Sequence, residues 1–186
     1  GQVSIATTTP DTPTLKTVLC SDGYISPPLE NQYCFGATFD LKDPGTDIRH
    51  SGHQHNIDKV KDMAPELASH LAQSLNKSTL TGRVGFRCAS PDYLPIIGPA
   101  PVAEAFISDY AKLKQDRNSP ISTAPQHYPG LFINVAHGSK GLITGPIGGE
   151  MIAAMLENEP LPLESELVDT LSPARFIIKK LIKRAI

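Results

Sequence analysis

The run LFINVAHGSKGLITGPIGGEMIAAMLENEP, Leu131–Pro160, constrains this chain more than any other. Ile133–Ala136 is an apolar stretch of strand length. Gly138 and Gly141 then permit the backbone angles of a tight turn and the close approach of a ligand. Beyond it Ile143, Ile147, Met151 and Met155 recur every four residues, with Gly148, Ile152 and Leu156 beside them, which is the spacing of a helix. Pro146 is tolerable only in a first turn, so the helix starts near Gly141–Gly145. Its free N–H groups and positive dipole end would face whatever lies above the turn. A phosphate or an electron-rich ring oxygen suits that place; a tightly packed strand-to-helix corner would use the same residues. Two familiar readings are excluded. No G-x-G-x-x-G follows a strand, and no G-x-x-x-x-G-K-[ST] occurs anywhere. A hydrolase elbow needs G-x-S-x-G, and His137 stands where its first glycine belongs.

Upstream, short apolar runs bounded by turn residues predict strands at Val3–Ala6, Thr17–Cys20, Tyr24–Ser26 and Tyr33–Phe39, with Asp22-Gly23 turning a hairpin. From His53 to Leu75 the apolar spacing becomes helical, and Pro65 should split it into two helices. Thr79–Ala89 reads as a strand, with Val84 and Phe86 on one face. PDYLPIIGPAP is too rich in proline for regular structure. Val102–Lys114 reads as a helix. The polar loop QDRNSPISTAPQHYPG is the best boundary candidate. A basic helix, Pro173–Arg184, closes the chain.

A length of 186 residues suits one domain, or one domain plus part of another. The net charge of −2 gives no global attraction for nucleic acid, so any such binding must be local. No apolar run approaches the roughly 18 residues of a membrane span, so no membrane partner is expected. The three cysteines, Cys20, Cys34 and Cys88, contain no C-x-x-C and fit reduced thiols in a cytoplasmic protein. The first residues lack both a Met and a signal core, which leads us to expect that the chain begins inside a longer protein.

Three further groups carry possible chemistry. In GRVGFRCASPDYLPIIG, Arg83, Gly85 and Arg87 share one strand face. An arginine there could grip a carboxylate through two parallel bonds, or be an ordinary surface arginine. HSGHQH brings together His50, His53 and His55, but no cysteine or acid completes a metal spacing; a solvated loop is expected, and no metal. In PARFIIKKLIKRAI, Phe176, Ile177 and Leu181 are core candidates. Arg175, Lys179, Lys180, Lys183 and Arg184 make a basic flank, either solvated or holding nucleic-acid phosphates.

Six segments in order, GQVS, VLCSDGYISP, FGATF, RVGFRCASPDYLPIIGPAP, HGSKGL and EPLPLESELVDTLSPARFIIKKLIK, make the chain resemble the C-terminal half of FAD-dependent amine oxidases of the D-amino-acid oxidase/glycine oxidase superfamily. Within it, they resemble the oxidase halves of bifunctional enzymes that modify the wobble uridine of tRNA. The resemblance implies a mixed α/β fold. Residues 1–125 would form a substrate-binding domain with a largely antiparallel sheet, and 126–186 the return to the FAD-binding domain. The Rossmann part would lie upstream, with an S-adenosylmethionine-dependent methyltransferase domain before it. FAD would be bound non-covalently, because the cysteine that attaches it in sarcosine-type relatives has no match. His137, Gly138, Ser139, Lys140, Gly141 and Leu142 would lie at the flavin ring. Arg87 matches the carboxylate-holding position and Tyr24 a tyrosine lining the pocket. The implied reaction oxidises the carbon next to the amine of carboxymethylaminomethyl-uridine in tRNA; hydrolysis of the imine releases glyoxylate. Lys179, Lys180, Lys183 and Arg184 would meet the tRNA. Cys34 stands where sarcosine-type relatives carry an oxygen-activating lysine. The alternatives are a small-molecule glycine- or sarcosine-type amine oxidase and a non-catalytic nucleic-acid-binding module.

Overall fold

Alternating burial along the first strand organises the N-terminal part. In β1 (Gln2–Thr7) the side chains of Gln2, Ser4 and Ala6 are buried, while Val3 and Ile5 on the other face are only half-buried. A computed structural model describes residues 1–186. Its chain divides into two units, Gly1–Phe86 and Arg87–Ile186. The polar loop expected to mark the boundary lies inside the second unit, because the strands on either side of it pair.

In the first unit β1 runs between β4 (Gln32–Gly36) and β5 (Thr81–Val84), and β4 continues to the hairpin of β2 (Leu19–Cys20) and β3 (Tyr24–Ile25). All four pairings are antiparallel. Asp22-Gly23 does turn the hairpin, pairing Cys20 with Tyr24. One face of the sheet is covered by α1 (His50–Lys61) and α2 (Pro65–Asn76). Pro65 opens α2, where its missing N–H costs nothing. Ile25, Tyr33 and Phe35 from the sheet meet Ile57, Val60, Leu67 and Leu71 from the helices in one core. The Tyr33 hydroxyl is satisfied inside it, donating to Pro13 O at 2.7 Å and accepting from Leu15 N at 2.8 Å.

The HSGHQH segment is the first turn and a half of α1, not a solvated loop. Its register turns His53 under the sheet. Asn56 Nδ2 donates to Gln2 O at 3.0 Å and to Ser4 Oγ at 2.9 Å, and the Ser4 hydroxyl is hydrogen-bonded to His53 Nδ1 at 2.8 Å. Burial lowers the His53 pKa, which favours the neutral ring. His53 therefore holds β1 to α1.

In the second unit the proline-rich segment forms a strand after all. β6 (Ile96–Pro101) pairs antiparallel with β7 (His127–Val135), with a register shift between Pro99 and Pro101. Proline is tolerated here because β6 lies at an edge and carries an irregularity. The expected helix from Val102 is α3 (Ala103–Asp109) followed by a 3-10 turn, Ala111–Lys114. Phe106 stacks on Tyr110 with ring centres 4.9 Å apart. α4 (Gly141–Glu157) crosses back over the strand pair. A Cβ at Gly148 would collide with the Asn134 side chain and with Ile97, so glycine is required for this close packing. Two short helices finish the unit, α5 (Ser165–Leu171), absent from the sequence expectation, and α6 (Arg175–Ile182).

Candidate functional site

The glycine turn joins β7 to α4 and is tied to the segment that precedes β6. Ala136, which is buried, and Gly138 both take left-handed backbone angles, at φ 62° and 57°. Together they reverse the chain between β7 and α4. His137 forms a bridge with Ala89, and Gly138 N donates to Cys88 O at 3.0 Å. The segment that begins at Arg87 is thereby tied to the turn. Thr144 Oγ1 donates to Lys140 O at 3.0 Å and so accepts from His137 Nδ1 at 2.8 Å. His137 therefore carries a proton on Nδ1. Asn134 Nδ2 donates to Gly145 O at 3.3 Å, fastening β7 to α4.

The turn uses two of its donors internally, Lys140 N on His137 O and Ile143 N on Lys140 O. The N–H groups of Ser139, Gly141 and Leu142 donate to no acceptor in the chain. They open a helix of 17 residues, whose dipole adds positive potential at the same point. Lys140 is exposed beside them, and Leu142 is 98% exposed. A cluster of unpaired N–H donors, a dipole end, a cation and bare apolar side chains can receive the electron-rich edge of a flat ring. These residues fit a flavin, and they are the ones the sequence motif marks: His137, Gly138, Ser139, Lys140, Gly141 and Leu142.

Arg87 is exposed and makes no hydrogen bond or ion pair, so its guanidinium is available to a ligand. It stands one residue before the Cys88 carbonyl that anchors the turn. Tyr24 belongs to the first unit, on β3, paired with Gly36 of β4. It is half-buried on the sheet face opposite the helices, its neighbour Ile25 being in the core.

The basic residues of the C-terminus are not one stripe. α6 ends at Ile182, two residues short of the expected Arg184. Lys179 Nζ is bound to Asp92 Oδ2 at 2.7 Å, and Arg184, at φ 54° past the helix, donates from Nε to Lys114 O at 2.8 Å. Lys180 and Lys183 are exposed and without such partners.

Arg175 is no part of a solvated flank. It is buried, and each of its five N–H donors has an acceptor. Nε and Nη2 grip Asp92 at 3.1 and 2.9 Å, Nη2 also reaches Leu94 O at 3.0 Å, and Nη1 donates to Leu171 O at 2.9 Å and Ser172 O at 3.2 Å. The guanidinium also lies 4.2 Å over the Phe176 ring. Its bonds to Asp92, aided by Lys179 and Ser90, hold that carboxyl far below the usual carboxylate range against the cost of burial. No sequence motif marks Asp92. A signal was present all the same: Arg175 is in register with Ile178 and Ile182 on the apolar side of α6, where a charge requires a partner. Elsewhere, no three His, Cys, Asp or Glu side chains come together as a metal site, and no helix is long and apolar enough to cross a membrane.

Comparison with known proteins places the chain in a family. Residues 1–155 match the family of FAD dependent oxidoreductases (DAO). The chain is 40% identical over 184 residues to the tRNA 5-methylaminomethyl-2-thiouridine biosynthesis bifunctional protein MnmC of Chromobacterium violaceum, covering 99% of this chain and 28% of that protein. It is 42% identical over 187 residues to the MnmC protein of Methylobacillus flagellatus, again covering 28% of it. Among solved structures, the iminodiacetate oxidase of Chelativorans sp. BNC1 superimposes with a TM-score of 0.61 at 21% identity, over 92% of this chain and 38% of that one; the likeness is one of fold. The chain belongs to the DAO family of FAD-dependent oxidoreductases. It spans little more than a quarter of the length of the curated relatives it matches.

Proposed function

We propose that this chain is the substrate-binding and closing part of an FAD-dependent amine oxidoreductase that removes the carboxymethyl group from carboxymethylaminomethyl-uridine at the wobble position of tRNA. The observation that carries the reading is the 40% identity to a tRNA-modifying bifunctional protein over 99% of the chain. The free N–H groups of the glycine turn support it. In this reading residues 1–125 serve the substrate and 126–186 return to the flavin domain, which continues upstream with a methyltransferase domain using S-adenosylmethionine. The setting is cytoplasmic.

When bound, FAD would supply the acceptor for the hydride, which carries the two electrons of the oxidation. The chain's own residues bind and orient. The N–H groups of Ser139, Gly141 and Leu142, with Lys140, stabilise negative charge at the ring edge. Arg87 holds the substrate carboxylate, and Tyr24 offers an aromatic surface on the first unit's own sheet. Oxidation of a neutral amine needs no side-chain base, so orientation accounts for most of what this part contributes. The test is to incubate the complete oxidase with tRNA bearing carboxymethylaminomethyl-uridine and to follow glyoxylate and the aminomethyl nucleoside by mass spectrometry. Turnover of free N-methylglycine with no reaction on tRNA would move the protein to the small-amine oxidases.

Two expectations follow. The 186-residue chain alone should be colourless, because it lacks a G-x-G-x-x-G phosphate site, which supplies most of the anchoring of a dinucleotide. A yellow preparation with stoichiometric flavin would show that the turn suffices by itself. We also assign the C-terminal cations, Lys179, Lys180, Lys183 and Arg184, to the tRNA surface, with Lys180 and Lys183 contributing most because they have no partner in the chain. Changing these two to Gln in the complete oxidase should lower the salt slope of tRNA binding by roughly 0.7–0.9 for each phosphate no longer neutralised. Flavin absorption should not move. An unchanged slope would leave the helix a solvated surface.

A further inference from the structure

The helix-free face of the five-stranded sheet has a use that the reaction scheme leaves open. The pairing register sets Tyr24, Gly36, Val3 and Arg83 side by side across β3, β4, β1 and β5. The next row on that face is Cys34, Ile5 and Thr81. The helices cover the other face, where Ile25, Phe35 and Ser4 are buried. Arg83 is exposed and makes no hydrogen bond or ion pair. It is the only charge in the two rows, and no carboxylate stands in either to neutralise it. Within these four strands an aromatic ring thus marks one end and an unpaired guanidinium the other, with Cys20 of β2 continuing the row beyond Tyr24. Between them the row has no side chain at Gly36 and a small one at Val3. Strands are spaced about 4.8 Å apart, so the two ends lie roughly 14 Å apart along the backbone. Both side chains are long enough to lean across part of that distance.

We propose that this row is a nucleotide-binding shelf, in which Arg83 takes an RNA backbone phosphate next to the modified uridine and Tyr24 borders its base. The inference rests on the tRNA reading above and adds to it the residue that separates tRNA from a free amine. The charge favours an anion, and a planar fork suits a phosphate. A flat aromatic beside it suits a base of any sequence.

The test uses the complete oxidase and its Arg83→Gln and Arg83→Lys variants, with tRNA bearing carboxymethylaminomethyl-uridine and, separately, N-methylglycine. Arg83→Gln should raise KM for tRNA about tenfold, the cost of one charge-assisted hydrogen bond, with kcat nearly unchanged. The salt slope of tRNA binding should fall by about 0.7. N-methylglycine oxidation and flavin content should stay at wild-type values, and Arg83→Lys should keep the slope. An unchanged KM and slope overturn the proposal. So does an equal loss on N-methylglycine, which makes Arg83 a carboxylate ligand, or a loss of flavin, which makes it structural. Failure of the tRNA reading itself shows differently, as wild-type enzyme that oxidises N-methylglycine and leaves tRNA untouched.

Discussion

Replacing Arg175 by methionine is expected to destabilise the protein by about 2–3 kcal/mol. Breaking a wholly buried ion pair from one side costs about 3–5 kcal/mol, because the remaining charge is stranded. The value here is lower for two reasons. The Asp92 side chain keeps 23% of its surface in water, and Lys179 stays bound to it. The carbonyls of Leu94, Leu171 and Ser172 also lose donors. Urea unfolding at neutral pH measures the difference, and Arg175→Lys should recover only part of it, since an ammonium cannot reproduce the fork. The pH dependence has a definite sign. The Asp92 pKa is depressed in the folded protein, so the pair's contribution is complete above the unfolded carboxylate value, about 3.9. It is lost as pH falls from there toward the folded value. The gap between wild type and variant should therefore narrow below about pH 4. A loss under about 0.5 kcal/mol at neutral pH, the size of an ordinary surface change, would mean that the network contributes nothing net.

Arg87→Leu should reduce catalytic efficiency of the complete oxidase on the proposed carboxymethylamine substrate by roughly 30- to 1000-fold. A two-bonded, charge-assisted clamp in a partly buried pocket is worth on the order of 2–4 kcal/mol. The side chain has no partner in the chain to lose, so stability and flavin content should be unaffected. Because Cys88 O accepts from Gly138 N, one might instead expect the substitution to disturb the turn. That bond is between backbones, however, and a leucine at position 87 keeps it. Near-wild-type turnover with intact flavin would remove Arg87 from the substrate.

The elements legible from the sequence were those whose pattern is local. The hairpin at Asp22-Gly23, the split of two helices at Pro65 and the start of α4 at Gly141 each rest on a residue whose backbone preference leaves little choice. What could not be read depends on a distant partner. Pro99 and Pro101 argue against a strand until β7 is there to pair with β6, and the short α5 has no buried residue to give it a periodic signature. β7 was expected to be buried at Ile133–Ala136; only Ala136 is, the strand residues being half-buried or exposed. The free N–H groups of Ser139, Gly141 and Leu142 were foreseeable because glycine and an apolar helix already imply them. Asp92 was not visible, because the residue that makes sense of it lies 83 positions away.

The pairing of β6 with β7 also gives the second unit a handed growth. Pro99 and Pro101 remove two donors from the six-residue β6, which blunts it as a template for another strand. β7 is nine residues long and carries one proline, Pro129, near its start. From Gly130 to Val135 no proline interrupts it, so every N–H not bonded to β6 is present on its other edge. Addition of a further strand is thus directed to one side only. The same bias that guides a correct neighbour into place also exposes the unit, when that neighbour is missing, to recruitment by a second copy of itself and from there to quality-control proteolysis.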